Sequence, residues 1–243
     1  MHETELWITK LFNEYLAGVG NTLTGIVGMA PEARPWANFV TMQLLVAAII
    51  IVLFAFLKPR LSADHPGKLQ HTFEVIYDFL REQAQEQVGH EGQHYLAYFG
   101  TVFIFILFSN LIGVIPGLES PTMVPSVPAG CAVATFFYYN IMGVQANGIL
   151  KYLAHFAGPL PLLAPLMIPI EIVSHLARPL SLTIRLFANM YAGEQVTMVF
   201  LRLTLVLFPA IFMGLHIFVS VLQAYIFVLL TMMYVAGAVA HEH

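Results

Sequence analysis

From residue 38 onward the chain is a succession of long apolar runs broken by short polar or proline-rich interruptions. The run 38–57, NFVTMQLLVAAIIIVLFAFL, supplies about 20 apolar residues, the number a helix needs to cross a bilayer. Lys58, Pro59 and Arg60 end it. In 68–88, Leu69, Phe73, Ile76, Phe79 and Leu80 recur at helical spacing with Gln, Glu and Arg between them, which predicts an amphipathic helix at the membrane surface. A second span is predicted over 95–115, followed by a loop marked by Pro116, Gly117, Pro121, Pro125 and Pro128. A third covers 129–150; its FFYYN and Gln145 make it more polar than a helix facing only lipid. The last two runs, 165–200 and 206–240, are longer than a perpendicular span and predict a tilted hairpin turning near Arg202 and Pro209. The expected architecture is an all-α integral membrane protein forming a single membrane domain over 1–243. It has about five membrane-embedded helices, the last two long and tilted, an amphipathic helix on the cytoplasmic side, and an external segment over 1–37.

Composition narrows the class. The chain has 243 residues, 58% hydrophobic and 10% charged, where a soluble domain carries roughly 25% charged residues. So much apolar surface has no soluble solution at this length. The net charge of −4 gives no basis for nucleic-acid binding, and the single cysteine, Cys131, excludes an intrachain disulfide. Lys58, Arg60, Lys68, Arg81 and Lys151 fall on one side and Lys10, Arg34 and Arg202 on the other, which sets the N-terminus outside and the C-terminus in the cytoplasm. The mixed Glu, Thr, Asn and Pro of 1–37 form neither a signal nor a transit peptide, which favours a bacterial plasma membrane.

The chemistry sits in the last two runs. Glu171, Arg178 and Arg185 are spaced by seven and share one helix face, with Ser174, Ser181 and Asn189 near it. Glu194, nine residues beyond Arg185, turns to roughly the opposite side, and Pro179 removes one backbone donor. On the last helix His216, Ser220 and Gln223 form a second polar stripe, continued by Phe227. A mid-membrane arginine costs about 3 kcal/mol on insertion scales and roughly 10 in simulations. Arg178 has an escape toward the cytoplasmic edge, but Arg185 lies about mid-helix and is a permanent charge. Glu171 is too far along the helix to neutralise it, and Gln223 offers an oxygen but no charge, which leaves another subunit as one source of a balancing carboxylate. Two readings stand at this point: a structural anchor in a helix bundle, or a path for ions or protons.

RPLSLTIRLFANMYAGE (178–194) resembles the signature of subunit a of the F-type ATP synthase, the family also known as ATPase subunit 6. HIFVSVLQAYIFVLLTMMY is similar to that family's last helix, and HPGKLQHTFEVIYDF and NLIGVIPG to its earlier segments, so the resemblance covers about 40–240. It implies a non-catalytic proton-translocating stator without cofactor or metal. Its partners would be the c-ring, the peripheral-stalk subunit b, the rest of the complex and the lipid bilayer, with no nucleic acid. Arg185 matches the family's arginine, which faces the c-ring carboxylate between two offset half-channels. Asn189, Glu194, His216 and Gln223 match positions around the arginine and the outer half-channel, and Glu171, Arg178 and Ser181 match the inner one. The transported ion is expected to be H+. One departure is visible: the family often has a Pro-Thr-x-Asp-x-Asn-like stretch after its second span. Here PSVPAGCAVAT places Pro128 and Gly130 at the polar positions, so no outer-channel contribution is assigned to the start of the third span, and neither Glu119 nor Tyr138 is taken as a substitute.

Two rival readings come from other classes. HEGQH (90–94) matches the H-E-x-x-H zinc-protease pattern, which needs both histidines on one helix face; Gly89 and Gly92 speak against that helix. A secondary transporter would use similar charged stripes but would show internal repeats, and none is visible.

Overall fold

The computed structural model describes residues 5–26, 28, 30–62, 65–89, 91–115, 117–149, 151–152, 164–203 and 207–240. Eight helices of at least nine residues are described: α1 (Trp7–Tyr15), α2 (Ala17–Ile26), α3 (Asn38–Leu57), α4 (Lys68–Val88), α5 (Gly92–Leu111), α6 (Ser126–Asn147), α7 (Ala164–Leu203) and α8 (Leu207–Val239). Short 3-10 turns at Lys58–Arg60, Ile112–Val114 and Pro121–Met123 close or connect them. No strand is present among the described residues.

Four segments are long and apolar enough to cross a membrane: Asn38–Arg60, Gly92–Val114, Ser126–Asn147 and Ala210–Val239. The remaining candidate, α7, has the length but carries Glu171, Arg178, Arg185, Glu194 and Arg202, and is less apolar than α3, α5, α6 and α8. Its 40 residues make a rod of about 60 Å at 1.5 Å per residue, twice the hydrocarbon thickness of about 30 Å. With its 33 residues α8 is about 50 Å long. Neither fits upright within the hydrocarbon, which is the physical basis for tilt. Helix α7 runs unbroken through Pro169 and Pro179. The turn between α7 and α8 at 204–206, the side chains of Arg202 and Pro209, and Pro116 and His90 lie outside the described residues.

The core is organised around α8, which packs against α4, α5, α6 and α7. Ala224, Phe227, Val228, Met232 and Val235 on its buried side meet Phe99, Phe103 and Ile106 of α5, Tyr139 of α6 and Leu182, Leu186 and Met190 of α7. The i, i+4 repeat of 182, 186 and 190 gives α7 one apolar stripe against α8. The loop after α5 is bound by a buried hydroxyl and amide chain. Ser120 Oγ donates to the Ser109 carbonyl (2.8 Å) and pairs with Thr122 Oγ1 (2.7 Å). Thr122 donates to Asn110 Oδ1 (2.8 Å), and Asn110 Nδ2 donates to the Ser220 carbonyl of α8 (3.3 Å).

Several boundaries differ from the sequence reading. Two helices occupy the segment preceding residue 38, α5 begins at Gly92 and α6 at Ser126. Helix α4 ends at Val88 with Gly89 at φ 84°, so Glu91 precedes α5 and, of the HEGQH stretch, only Gly92, Gln93 and His94 are inside a described helix. Glu91, the general base of the zinc pattern, is therefore outside the helix that carries His94.

Candidate functional site

Helices α7 and α8 run antiparallel, and their polar residues meet in three places. At the middle, Asn189 Nδ2 donates to Gln223 Oε1 at 2.8 Å, and Gln223 is 2% exposed. Arg185 lies one turn before Asn189 and is partly exposed. Its side chain reaches back to Ser181 Oγ at a long 3.5 Å, following the lean of helical side chains toward the N-terminus. The sequence offered Gln223 as an oxygen for Arg185; that oxygen instead serves Asn189. Among the described residues no carboxylate lies within ion-pair distance of Arg185.

Toward the start of α7, Glu171 Oε1 lies 3.3 Å from His175 Nδ1 and 3.8 Å from an Arg178 nitrogen. The Arg178 guanidinium sits 5.2 Å from the Tyr234 ring of α8 and 5.7 Å from the Tyr139 ring of α6. Arg178 therefore has an anion and two aromatic faces and does not depend on reaching the membrane edge. Tyr152 completes this end by donating from its hydroxyl to Asn140 Oδ1 at 2.8 Å.

At the opposite end, Glu194 and His216 are 8% and 7% exposed. They line a cavity of about 360 Å3 together with Gly113–Ile115, Gly117, Leu118, Thr197, Met198, Leu201 and Met213. Glu194 Oε2 and His216 Nε2 have no hydrogen-bond partner among the described residues. Two such atoms facing one cavity are what a water-filled vestibule requires, since a buried polar atom left unmatched costs about 1–3 kcal/mol. Gly193 makes room for the histidine: a Cβ there would stand 2.6 Å from His216 Nδ1.

The two polar ends are far apart. Glu171 and Arg185 are 14 residues apart, about 21 Å along the helix, and Arg185 and Glu194 nine residues, about 14 Å. Between them the α7–α8 interface is sealed by buried Leu182, Leu186 and Met190 against Ala224, Phe227 and Val228. The arrangement is a polar cluster at one end and a polar cavity at the other, with an apolar seam between them and one arginine that meets no carboxylate among the described residues. No group of three or more His, Cys, Asp or Glu that could hold a metal ion occurs among the described residues.

All eight residues singled out from sequence lie in these clusters or on the stripe joining them, and the structure adds others. His175, Tyr139 and Tyr234 join Glu171 and Arg178; the i+4 step from Glu171 was the available signal for His175. Asn110, Ser120 and Thr122 fix α8 from the side and carried no periodic signal. The polar pattern after the second span also needs a correction. Its Pro-Thr pair is Pro121–Thr122, which puts Val124 and Ser126, not Pro128 and Gly130, at the Asp and Asn positions. No acid stands there in either register.

Comparison with known proteins gives one consistent result. The family model described as ATP synthase A chain matches residues 40–236. A protein of Solibacter usitatus (strain Ellin6076) named ATP synthase subunit a is 82% identical over 233 residues, 96% of this chain and 100% of its own length. Proteins of the same name from Koribacter versatilis (strain Ellin345) and Sulfurihydrogenibium sp. (strain YO3AOP1) are 46% and 41% identical. The first alignment covers 98% of each chain, and the second covers 84% of this chain and 98% of the other.

Proposed function

Because this chain belongs to the ATP synthase A chain family, we propose that it is the proton-translocating stator subunit of an F-type ATP synthase. In this reading it forms two offset half-channels that load and unload carboxylates on a rotating c-ring, coupling proton flow to ATP synthesis. The subunit itself is non-catalytic. Its neighbours are the c-ring, the peripheral-stalk subunit b and the rest of the F1F0 complex. It sits in a bacterial plasma membrane with its N-terminus outside and its C-terminus in the cytoplasm.

One observation carries the reading: an arginine with no carboxylate in ion-pair reach among the described residues, between a polar cluster on one side and a polar cavity on the other. A fixed positive charge about 4–6 Å from a partner's carboxylate lowers its pKa and favours proton release. A c-ring carboxylate facing Arg185 would give up its proton there to the compartment of Glu171, Ser181 and Arg178. It would be reloaded from the compartment of Glu194 and His216, and would then turn into lipid as a neutral acid. The Asn189–Gln223 pair fixes the two helices beside Arg185 without adding charge to compete with the ring. The apolar seam blocks a direct proton path, so protons cross only on the ring. Each proton moving through 100 mV supplies about 2.3 kcal/mol, so several must be combined per ATP.

The test is ATP-driven proton pumping in vesicles carrying the assembled complex, with wild type compared with Arg185→Ala. The expected result is loss of pumping and of ATP synthesis at normal assembly, with a passive proton leak when the ring is present. Coupled pumping by the variant at wild-type rate would refute the assignment.

A further inference from the structure

Before the region matched by the family model lies a small folded unit whose purpose the channel does not explain. Helices α1 and α2 are joined almost without interruption, since Leu16 N donates to the Phe12 carbonyl and Gly20 N to the Leu16 carbonyl. Along them Trp7, Leu11, Tyr15, Val19, Leu23 and Ile26 recur every three or four residues, and all six are exposed, from 44% for Leu11 to 81% for Ile26.

The opposite side is tied to the start of α3 and the segment leading to it. Thr9 Oγ1 pairs with Thr41 Oγ1 (2.7 Å), and Leu6 N donates to Asn38 Oδ1 (3.2 Å). The Asn13 side chain bonds both the N–H and the carbonyl of Trp36, and Asn21 does the same with Glu32. Trp36 Nε1 donates to the Leu16 carbonyl, and its ring meets Phe12 edge-on at 5.7 Å. At Gly20 the approach is so close that a Cβ would stand 2.6 Å from Pro35 Cγ. The helices are thus held in a set orientation at the end of a membrane-crossing helix, and their apolar side is turned away from the protein.

We infer that α1 and α2 form a membrane-interface anchor, with Trp7, Leu11, Tyr15, Val19, Leu23 and Ile26 inserted among the lipids at the bilayer face where α3 begins. Position argues for lipid. Helix α3 starts at Asn38 and is long and apolar enough to cross a membrane, and this chain buries only 17% of its most apolar window, so α1 is pinned beside an apolar surface that the chain itself leaves open. Residue type argues the same way: Trp7 and Tyr15 are amphipathic aromatics suited to headgroup depth. Lys10 and Glu14 lie on the solvent flank with Asn13 and Asn21 engaged on the protein side, which leaves the anchor without a cationic face. Its binding therefore rests on apolar area and does not require anionic lipid.

A nitroxide scan tests this. Single labels are placed at Leu11→Cys, Tyr15→Cys, Val19→Cys and Leu23→Cys, and at Lys10→Cys, Glu14→Cys and Thr22→Cys. The background is Cys131→Ser in the complex otherwise cleared of cysteines and reconstituted in phosphatidylcholine vesicles. All seven positions are exposed, so labelling leaves the packing intact. The expected result is a several-fold higher ratio of oxygen to aqueous nickel-complex collisions at the first four positions than at the last three, unchanged by adding salt. Nickel accessibility equal across both sets would put the helices in water and overturn the inference. Protection of the first set from both reagents would mean that another subunit covers the face, and would overturn it as well.

Discussion

Gly193 offers the sharpest probe of the Glu194–His216 compartment. An added Cβ would stand 2.6 Å from His216 Nδ1 and 3.2 Å from Cε1, where ordinary contact begins near 3.4 Å. In Gly193→Ala the imidazole must therefore swing by about 1 Å, away from α7 and into the 360 Å3 cavity it shares with Glu194. Two opposing terms act on stability. Overpacking a filled site costs about 1–3 kcal/mol, while Ala in place of Gly in a helix interior returns about 1 kcal/mol. Their near-cancellation predicts normal assembly, with the effect falling on proton delivery, where a 1 Å misplacement can cost about 100-fold. The assay is the initial rate of ATP-driven vesicle acidification at matched complex content, read for Gly193→Ala, His216→Ser and the double variant. With the ring already removed, the alanine has nothing to displace, so the double variant should pump no worse than His216→Ser alone. Wild-type pumping by Gly193→Ala, or strictly additive losses, would refute the coupling between this glycine and the histidine.

Asn110→Leu keeps volume but leaves the Thr122 hydroxyl without its buried acceptor, and should lower the thermal dissociation midpoint of the purified complex by the equivalent of about 1–3 kcal/mol. Arg34→Ala breaks the 2.8 Å contact with Glu5, but Arg34 is 74% exposed, so unfolding and pumping should both stay within about 1 kcal/mol of wild type.

The bilayer makes much of this fold legible, because it demands about 20 apolar residues per crossing and the chain displays them in clear runs. What the runs conceal is where helices begin. Helix α6 starts at Ser126, between two prolines that read as loop. Pro128 lies in the first turn, where a backbone N–H has no helical partner and its loss is harmless. Helix α5 extends back over Gly92, Gln93 and His94, residues too polar to register as apolar. Helices α1 and α2 contain Gly18, Gly20 and Gly25 and owe their place to the bonds from Asn13 and Asn21 to residues 32–36, which no local pattern announces. The same division holds at the site. Spacing along one helix was enough to join Glu171 and Arg178, whose side chains approach to 3.8 Å, though it left out His175 between them. Residues brought from elsewhere were not: Asn110 reaches Ser220 across 110 positions of sequence, and Tyr139 meets Arg178 from a different helix.

The solitary state of Arg185 also bears on how the complex is built. A chain that inserts before its partner must hold a charge that costs about 3 kcal/mol or more in the hydrocarbon, with the Ser181 hydroxyl at 3.5 Å its hydrogen-bond partner among the described residues. Docking a carboxylate-bearing partner removes that burden, and anything that binds only the folded form stabilises it by mass action. On the proposed reading Arg185 would also register assembly: an orphan copy would be the less stable one and more open to local unfolding and proteolysis.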